Sequence, residues 1–376
     1  MEQYKQDAIS ILRAVVCGDG TAVPDNANWD KIWKFAQHNH LEAIVFTAAP
    51  ESQKEKFRNT YLKMVACTVR QEHLLKEIEG VLTERGIHYG LQKGSVLKFD
   101  YKDLALRFMS DMDLYIRTED RTAIRAAMES IGGVFRGSES GDQQFLFEYD
   151  LGVEFHGRLL YRNTRHGIEG YPDWGFVDEK SNRLTEEGYA LNLIGHAVGD
   201  LARSGPGIRY ILDLWVYRHR HCPQPDWEAI QERLRKDGIA DAAKNLLDLS
   251  EYLFGDGAET ELMEEMAEYI LAGGLYGDTS RGTATEAARS GGRGKAVVRQ
   301  VFRNRTEFEN RYPWLHEHPY LLPLAWGLRL ARSMLRNRKK IGSWAASMKN
   351  TSREEIERQK KKLTRFGLKL TPKPTV

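Results

Sequence analysis

Apolar residues recur at helical spacing through the first 86 positions. Ile9, Leu12 and Val16 form one stripe, and Trp29, Ile32, Trp33, Phe35 and Ala36 form a second. From Gln53 to Arg85 the series Phe57, Tyr61, Met64, Val65, Val69, Leu74, Leu75, Ile78 and Leu82 runs without proline, and its only glycine is Gly80. That pattern predicts one long helix or a broken pair. The period then changes. Ile87-His88-Tyr89-Gly90-Leu91 is short and glycine-flanked, as a strand is. Asp111 to Ile116 alternates strictly, with Asp111, Asp113 and Tyr115 on one face and Met112, Leu114 and Ile116 on the other. A helix starting near Thr118 and a hairpin of Phe145–Tyr149 and Val153–Leu159 about Asp150-Leu151-Gly152 complete a small α/β unit.

Helical periodicity returns over Glu186–Leu201, Ile208–Tyr217, Trp227–Arg235 and Ala240–Phe254. Residues 273–295 hold seven glycines among Ser, Thr and Arg, the composition of a flexible loop. Trp326, Leu328 and Leu335, with Arg329, Arg332 and Arg336, predict a basic amphipathic helix near the end. The expected architecture is mixed α+β. Its parts are an N-terminal helical region (1–86), a small mixed-sheet core (87–160), a helical domain (161–272), the glycine-rich loop (273–295) and C-terminal helices with a basic tail (296–376).

Composition changes this picture little: 41% hydrophobic and 29% charged residues are ordinary globular values. Cys17, Cys67 and Cys222 are far apart and form no CxxC pair, which argues against a disulfide framework or a closed zinc set. His219, His221 and Cys222 fit no such set either and read as a helix terminus. The N-terminus lacks a cationic start followed by an apolar block, and no run reaches the ~20 apolar residues of a membrane span. A cytoplasmic, at most membrane-peripheral, protein is expected. Charge is uneven: the net of +2 conceals fifteen Lys/Arg against three Asp/Glu from Arg329 to Val376. Such a tail either contacts an anionic surface or nucleic acid, or is a solvated helix end.

Three features of the α/β unit carry chemistry. Asp111 and Asp113 project from one face of a strand, where their mutual repulsion is relieved by divalent cations such as Mg²⁺ (or Mn²⁺). Glu154, flanked by Val153 and Phe155 on the hairpin, can complete a two-metal site from a neighbouring strand. Lys93-Gly94-Ser95 opens a helix after the first strand, where amides and a hydroxyl can hold phosphate oxygens. Lys98 and Arg107 are the next basic residues, and Arg107 could instead pair with Asp103 or Asp111.

Glycine-serine, then Asp-x-Asp, then a third acid resembles the DNA polymerase β-like nucleotidyltransferase superfamily. More narrowly, Leu91-Gln92-Lys93-Gly94-Ser95 followed by Arg107-Phe108-Met109-Ser110-Asp111-Met112-Asp113-Leu114 resembles a family of bacterial nucleotidyltransferases whose members read "LLKG", then "R…DIDLL". Val153 to Leu159, Leu193 to Ala197, Arg209 to Leu214 and Tyr312-Pro313-Trp314-Leu315 match its later motifs, so the likeness spans about residues 10 to 340. The resemblance implies transfer of a nucleoside monophosphate from an NTP, ATP in the first instance, to an unidentified acceptor hydroxyl. It assigns Asp111, Asp113 and Glu154 as metal ligands and Gly94 and Ser95, with Lys93 and Arg107, as phosphate contacts. His196 and Asp213 match family positions that either cover the cleft or pair with each other, and His156 shares the face of Glu154. Two departures stand out: the fifteen residues between Ser95 and Asp111, and Glu in place of the commoner Asp. A catalytically silent relative acting as a scaffold through its tail is the competing reading.

Overall fold

The computed structural model describes residues 1–24, 26–136, 142–164, 167–275, 277, 279–302, 312, 314–336 and 338–369. The periodic apolar stripes of the N-terminal third become α1 (Gln3–Leu12), α2 (Trp29–Asn39), α3 (Glu42–Ala48) and α4 (Glu51–Glu84). Helix α4 is unbroken over 34 residues, about 50 Å at 1.5 Å per residue. Its length matters because it serves two cores. Phe57 and Met64 join the first, with α1 to α3 and the helices downstream; Leu74, Leu75, Ile78 and Leu82 join a second beneath the sheet.

The sheet has five strands in the order β1-β2-β5-β4-β3: β1 (Tyr89–Leu91), β2 (Asp111–Ile116), β3 (Val134–Phe135), β4 (Gln143–Leu146) and β5 (Gly152–His156). Only β2 and β5 pair parallel; the other neighbours are antiparallel, so the sheet is mixed. Between β1 and β2 lies α5 (Gly94–Leu97), and between β2 and β3 lies α6 (Arg121–Ser130). The inward residues Met112, Leu114, Val153 and Phe155 are at most 1% exposed and pack on α4 and α6. With that face closed by helices, the other face carries the polar residues.

Two hairpins follow, β6 (Leu160–Thr164) with β7 (Gly167–Tyr171) and β8 (Val177–Asp178) with β9 (Arg183–Leu184). Then come α7 (Glu186–Leu201), α8 (Ile208–Arg220), α9 (Trp227–Lys236), α10 (Ala240–Phe254) and α11 (Glu261–Leu271), close to the helices that periodicity predicts. Tyr161 of β6 lies against α7 because Gly195 and Gly199 leave room: a Cβ on Gly195 would sit 2.8 Å from its ring.

The expected loop over 273–295 is corrected in its interior. Thr279–Ser290 is a helix, α12, and only Gly291-Gly292 separates it from α13 (Arg293–Val301). Ala284, Ala287 and Ala288 bury its inner face, and the cost of its one internal glycine, Gly282, is about 1 kcal/mol, which tertiary packing absorbs. A short α14 (Trp314–Glu317) precedes α15 (Leu322–Arg336), α16 (Arg338–Asn350) and α17 (Arg353–Arg365). The basic stretch after Arg336 is itself helical, over Arg338–Asn350 and Arg353–Arg365. Part of the charge asymmetry is met inside the fold, since Arg365 pairs with Glu261 and Glu265 of α11 and Lys362 lies 3.9 Å from Glu265. No helix among the described residues is long and apolar enough to cross a membrane.

His219 and His221 close α8 as expected of a helix terminus. His221 bridges two elements, with Nδ1 2.7 Å from Asp100 and Nε2 2.8 Å from Glu186. Burial opposes its charged form, but the two carboxylates outweigh burial and raise its pKa above the usual value. A raised folded-state pKa means the stabilisation is complete below the unfolded value near 6.5 and is lost as pH climbs through the folded one. The Tm difference between wild type and His221→Gln should therefore be largest near pH 6 and shrink by pH 9.5; a difference constant across that range would sink this account.

Candidate functional site

In β2 the side chains alternate, and in β5 they alternate in the same phase. The register sets Asp111 opposite Gly152, Asp113 opposite Glu154 and Tyr115 opposite His156. Residues opposite each other in a parallel pair share a face. Asp111, Asp113, Glu154 and His156 thus converge on the side away from α4 and α6. Asp113 is the hub: its Oδ1 accepts from Lys93 Nζ at 2.8 Å and lies 2.6 Å from His156 Nε2. His156 is in turn 3.3 Å from Asp142 through Nδ1 and 3.7 Å from Glu154. Gln144 donates to Glu154 at 2.6 Å, and Ser110 to Asp111 at 3.2 Å.

Burial alone would raise every acid in this cluster. Asp113 moves the other way, well below the usual carboxylate range, because Lys93 and His156 overcome its desolvation. The same contacts act on the cations. Burial pulls both down, yet Asp113 holds Lys93 above its normal value, and hydrogen bonds to Asp113 and Asp142 raise His156 to about 9. Asp111 and Glu154 feel the same cations from further off, with His156 3.7 Å from Glu154. Desolvation first, then the charge of Asp113 on Asp111 and of Asp111 on Glu154, raises both. The face therefore holds one carboxylate matched by two close cations and two that are matched only in part. Asp113, Glu154 and His156 each offer a ligand atom within 4.8 Å of the others, a donor set consistent with a divalent cation.

The Lys93-Gly94-Ser95 turn sits at the edge of this face. Lys93 has φ +46°, a conformation that normally belongs to glycine. Tyr189 holds it there by donating to the Lys93 carbonyl at 2.6 Å, and Gln92 N–H donates to the Asp113 carbonyl at 3.1 Å. The backbone strain aims the ammonium at Asp113. The Ser95 and Val96 amides bond Gln92 and Lys93 within the turn, while the buried Ser95 hydroxyl has no partner. Gly94 is needed for packing: a Cβ there would lie 2.8 Å from Met109 and 3.2 Å from Arg107.

Arg107 and Asp213 find each other instead of the cleft. Arg107 Nε donates to Asp213 at 2.7 Å, and Tyr101 donates to the same oxygen at 2.8 Å, with both ionic side chains at most 4% exposed. Neither Asp103 nor Asp111 takes Arg107. Lys98 is also removed from the cleft, wholly buried and paired with Glu72. His196 does not pair with Asp213. It lies 3.4 Å from Asp200, one turn on, and stacks on Tyr210. Burial, then Lys93, keeps its imidazole far below its normal pKa, and Asp113 and His156 act on it too. His196 therefore borders the acidic face while Asp213 does not.

Asp142, Tyr161, Asp200 and Tyr210 also belong to the site's surroundings, since the charge of Lys93 reaches the last three. The i,i+4 spacing of His196 and Asp200 on a helix was a readable signal; nothing in the chain marked Asp142 or the tyrosines. Arg209 lies beside Arg107, fully buried, with one guanidinium nitrogen donating to the Phe108 carbonyl at 2.8 Å. The charge of Asp213 reaches both arginines. Replacing Asp213 with Ala should cost about 3–5 kcal/mol in chemical denaturation, as a buried charge pair broken on one side does. Arg107→Met with Asp213→Leu should recover most of that loss; a single variant within 1 kcal/mol of wild type, roughly the scale of a surface change, would refute it.

A family model described as an uncharacterised nucleotidyltransferase matches residues 25–255, and the chain belongs to that family. The match takes in α2 to α10 and the whole sheet, and ends before α11. No curated protein and no solved structure matches the chain.

Proposed function

We propose that the protein transfers a nucleoside monophosphate from an NTP, ATP in the first instance, to an acceptor hydroxyl, as in the DNA polymerase β-like superfamily that its motifs resemble. One observation carries this reading: Asp113 faces Glu154 across the parallel β2–β5 pair, with Asp111 on the same face, in a chain of a nucleotidyltransferase family. Three acids in that register are costly to hold together and fit hard divalent cations better than they fit any interaction among themselves. We assign residues 87–160 as the catalytic unit and 161–272 as the helical cover of its cleft.

Asp111, Asp113 and Glu154 would hold Mg²⁺ (or Mn²⁺), which supplies charge neutralisation for the triphosphate and a more acidic acceptor hydroxyl. The remaining work falls to the chain. Lys93 stands beside Asp113 and is the nearest ammonium to charge developing on a phosphate seated there. The unpartnered Ser95 hydroxyl can donate to a phosphate oxygen at the same turn. His156, anchored by Asp142, fixes the orientation of Asp113. Neutral His196, held beside Asp200, presents a ring at the cleft wall that can orient the acceptor without adding charge. Arg107 and Asp213 act from below as a buried brace under the Gly94 turn.

Thermal denaturation with MgCl₂ and a non-hydrolysable ATP analogue tests the reading. Ligand at 100 times Kd stabilises by about 2.7 kcal/mol, a rise of several degrees in Tm. Asp111→Asn with Asp113→Asn should abolish the metal-dependent rise, measured against the variant's own unliganded Tm, which falls because Lys93 and His156 lose their buried partner. If no NTP shifts Tm with Mg²⁺ or Mn²⁺, a catalytically silent scaffold becomes the better reading.

A further inference from the structure

The basic residues of the C-terminal helices are not all used alike. Helix α17 sets Arg365 and Lys362 against the acids of α11. Helices α13, α15 and α16 carry three, three and four Lys/Arg, and no Asp or Glu. Lys295 on α13 and Arg332 on α15 are exposed and enter no ion pair among the described residues.

Apolar exposure concentrates in the same place. Of thirteen large apolar side chains left in solvent among the described residues, seven fall between Val297 and Ile341. On α15 they form a line. Leu324 and Leu328 are 53% and 45% exposed, and exposed Arg332 follows at the same four-residue step, so one helix face runs Leu-Leu-Arg. Pro323, Gly327 and Ala331 are exposed beside that line and add no polar side chain. The opposite face is anchored. Ala325 is wholly buried with Leu315, and Arg329 donates to the Gln300 carbonyl at 2.8 Å. On α13, Lys295 and exposed Val298 and Phe302 stand at i, i+3 and i+7, again one face. The Phe302 ring meets Trp326 edge to face, with centroids 5.0 Å apart, so the two lines join at their apolar ends.

Exposed apolar side chains flanked by cations, with no acid on the same helices, have the chemistry of an anionic lipid surface. Leucines and rings can enter the boundary between headgroups and acyl chains, while Lys and Arg reach lipid phosphates. A nucleic acid would engage the cations but leave the aliphatic side chains in water. A second copy meeting the same patch face to face would set cations against cations. We propose that α13 and α15 form a docking surface for an anionic lipid leaflet, with Val298, Phe302, Leu324 and Leu328 inserted and Lys295 and Arg332 at the headgroups. This surface lies outside the family-matched residues and does not rest on the function proposed above.

Co-sedimentation of the full-length protein with vesicles tests the proposal. Wild type should bind vesicles of phosphatidylcholine and phosphatidylglycerol in equal parts at least tenfold more tightly than phosphatidylcholine alone, and added salt should weaken that binding. Leu324→Ser with Leu328→Ser changes only exposed side chains, so it should keep the wild-type Tm while binding the mixed vesicles at least tenfold more weakly. Lys295→Glu with Arg332→Glu should lose at least tenfold as well. Leu62→Ser with Val69→Ser, which removes exposed apolar residues of α4 instead, should bind as wild type does. Equal binding of wild type to both vesicles, or none to either, overturns the proposal, as does unchanged binding by the Leu324 and Leu328 variant. Duplex DNA binding that displaces the vesicles and is indifferent to the two leucines would assign the face to nucleic acid. A dimer that the leucine variant dissociates, with no vesicle binding, would assign it to a second copy.

Discussion

The parallel pairing of β2 with β5 is the constraint on which the rest of the structure turns. It is the only parallel pair in the five-stranded sheet, and its register brings Asp113 and Glu154 side by side with Asp111 one pleat away. A shift of one residue would send Glu154 into the core and Val153 or Phe155 to the polar face. Val153 and Phe155 prevent that slip, because they are buried with Met112 and Leu114 against α4 and α6. The apolar face thus fixes the register, and the register fixes the acids. Stability on one side of the sheet is what keeps an electrostatically unfavourable arrangement on the other.

Around that pair the molecule distributes charge in a consistent way. Where a side chain serves the frame, its charge is matched: Arg107 with Asp213, Lys98 with Glu72, His221 between Asp100 and Glu186. Where the β2–β5 face opens, matching is incomplete. Asp113 has two close cationic partners, while Asp111 and Glu154 are only partly matched and stay raised by burial and neighbouring acids. Unmatched buried charge is expensive, so it persists only where surrounding packing over-determines it. Here the packing is supplied by both cores, joined by α4.

Much of this was legible in the chain because it follows from short-range periodicity. Strict alternation placed β2 at its observed bounds, and helical stripes placed α7 and α10. The polar pattern singled out Asp111, Asp113 and Glu154, and the family match agrees with the resemblance those residues carry. What was not legible depends on tertiary geometry. Arg107, His196 and Asp213 were recognisable as unusual, but only the fold decides that Arg107 takes Asp213 and that a neutral His196 lies near Asp200 with its Nδ1 unbonded. Helix α12 was hidden by its neighbours: glycines at its flanks and Ser and Thr along it signal a loop, yet Ala284, Ala287 and Ala288 supply a buried stripe.

The acids without a close cation are the ones whose burial works against their charge. Asp111 and Glu154 are raised by desolvation and by neighbouring carboxylates, while Asp113, between Lys93 and His156, is lowered. A divalent cation seated among them would supply the positive charge that the sheet itself brings only to Asp113. The strand register thus sets where the acids stand and, through the partners each one meets, how much of their charge is left for a ligand to match.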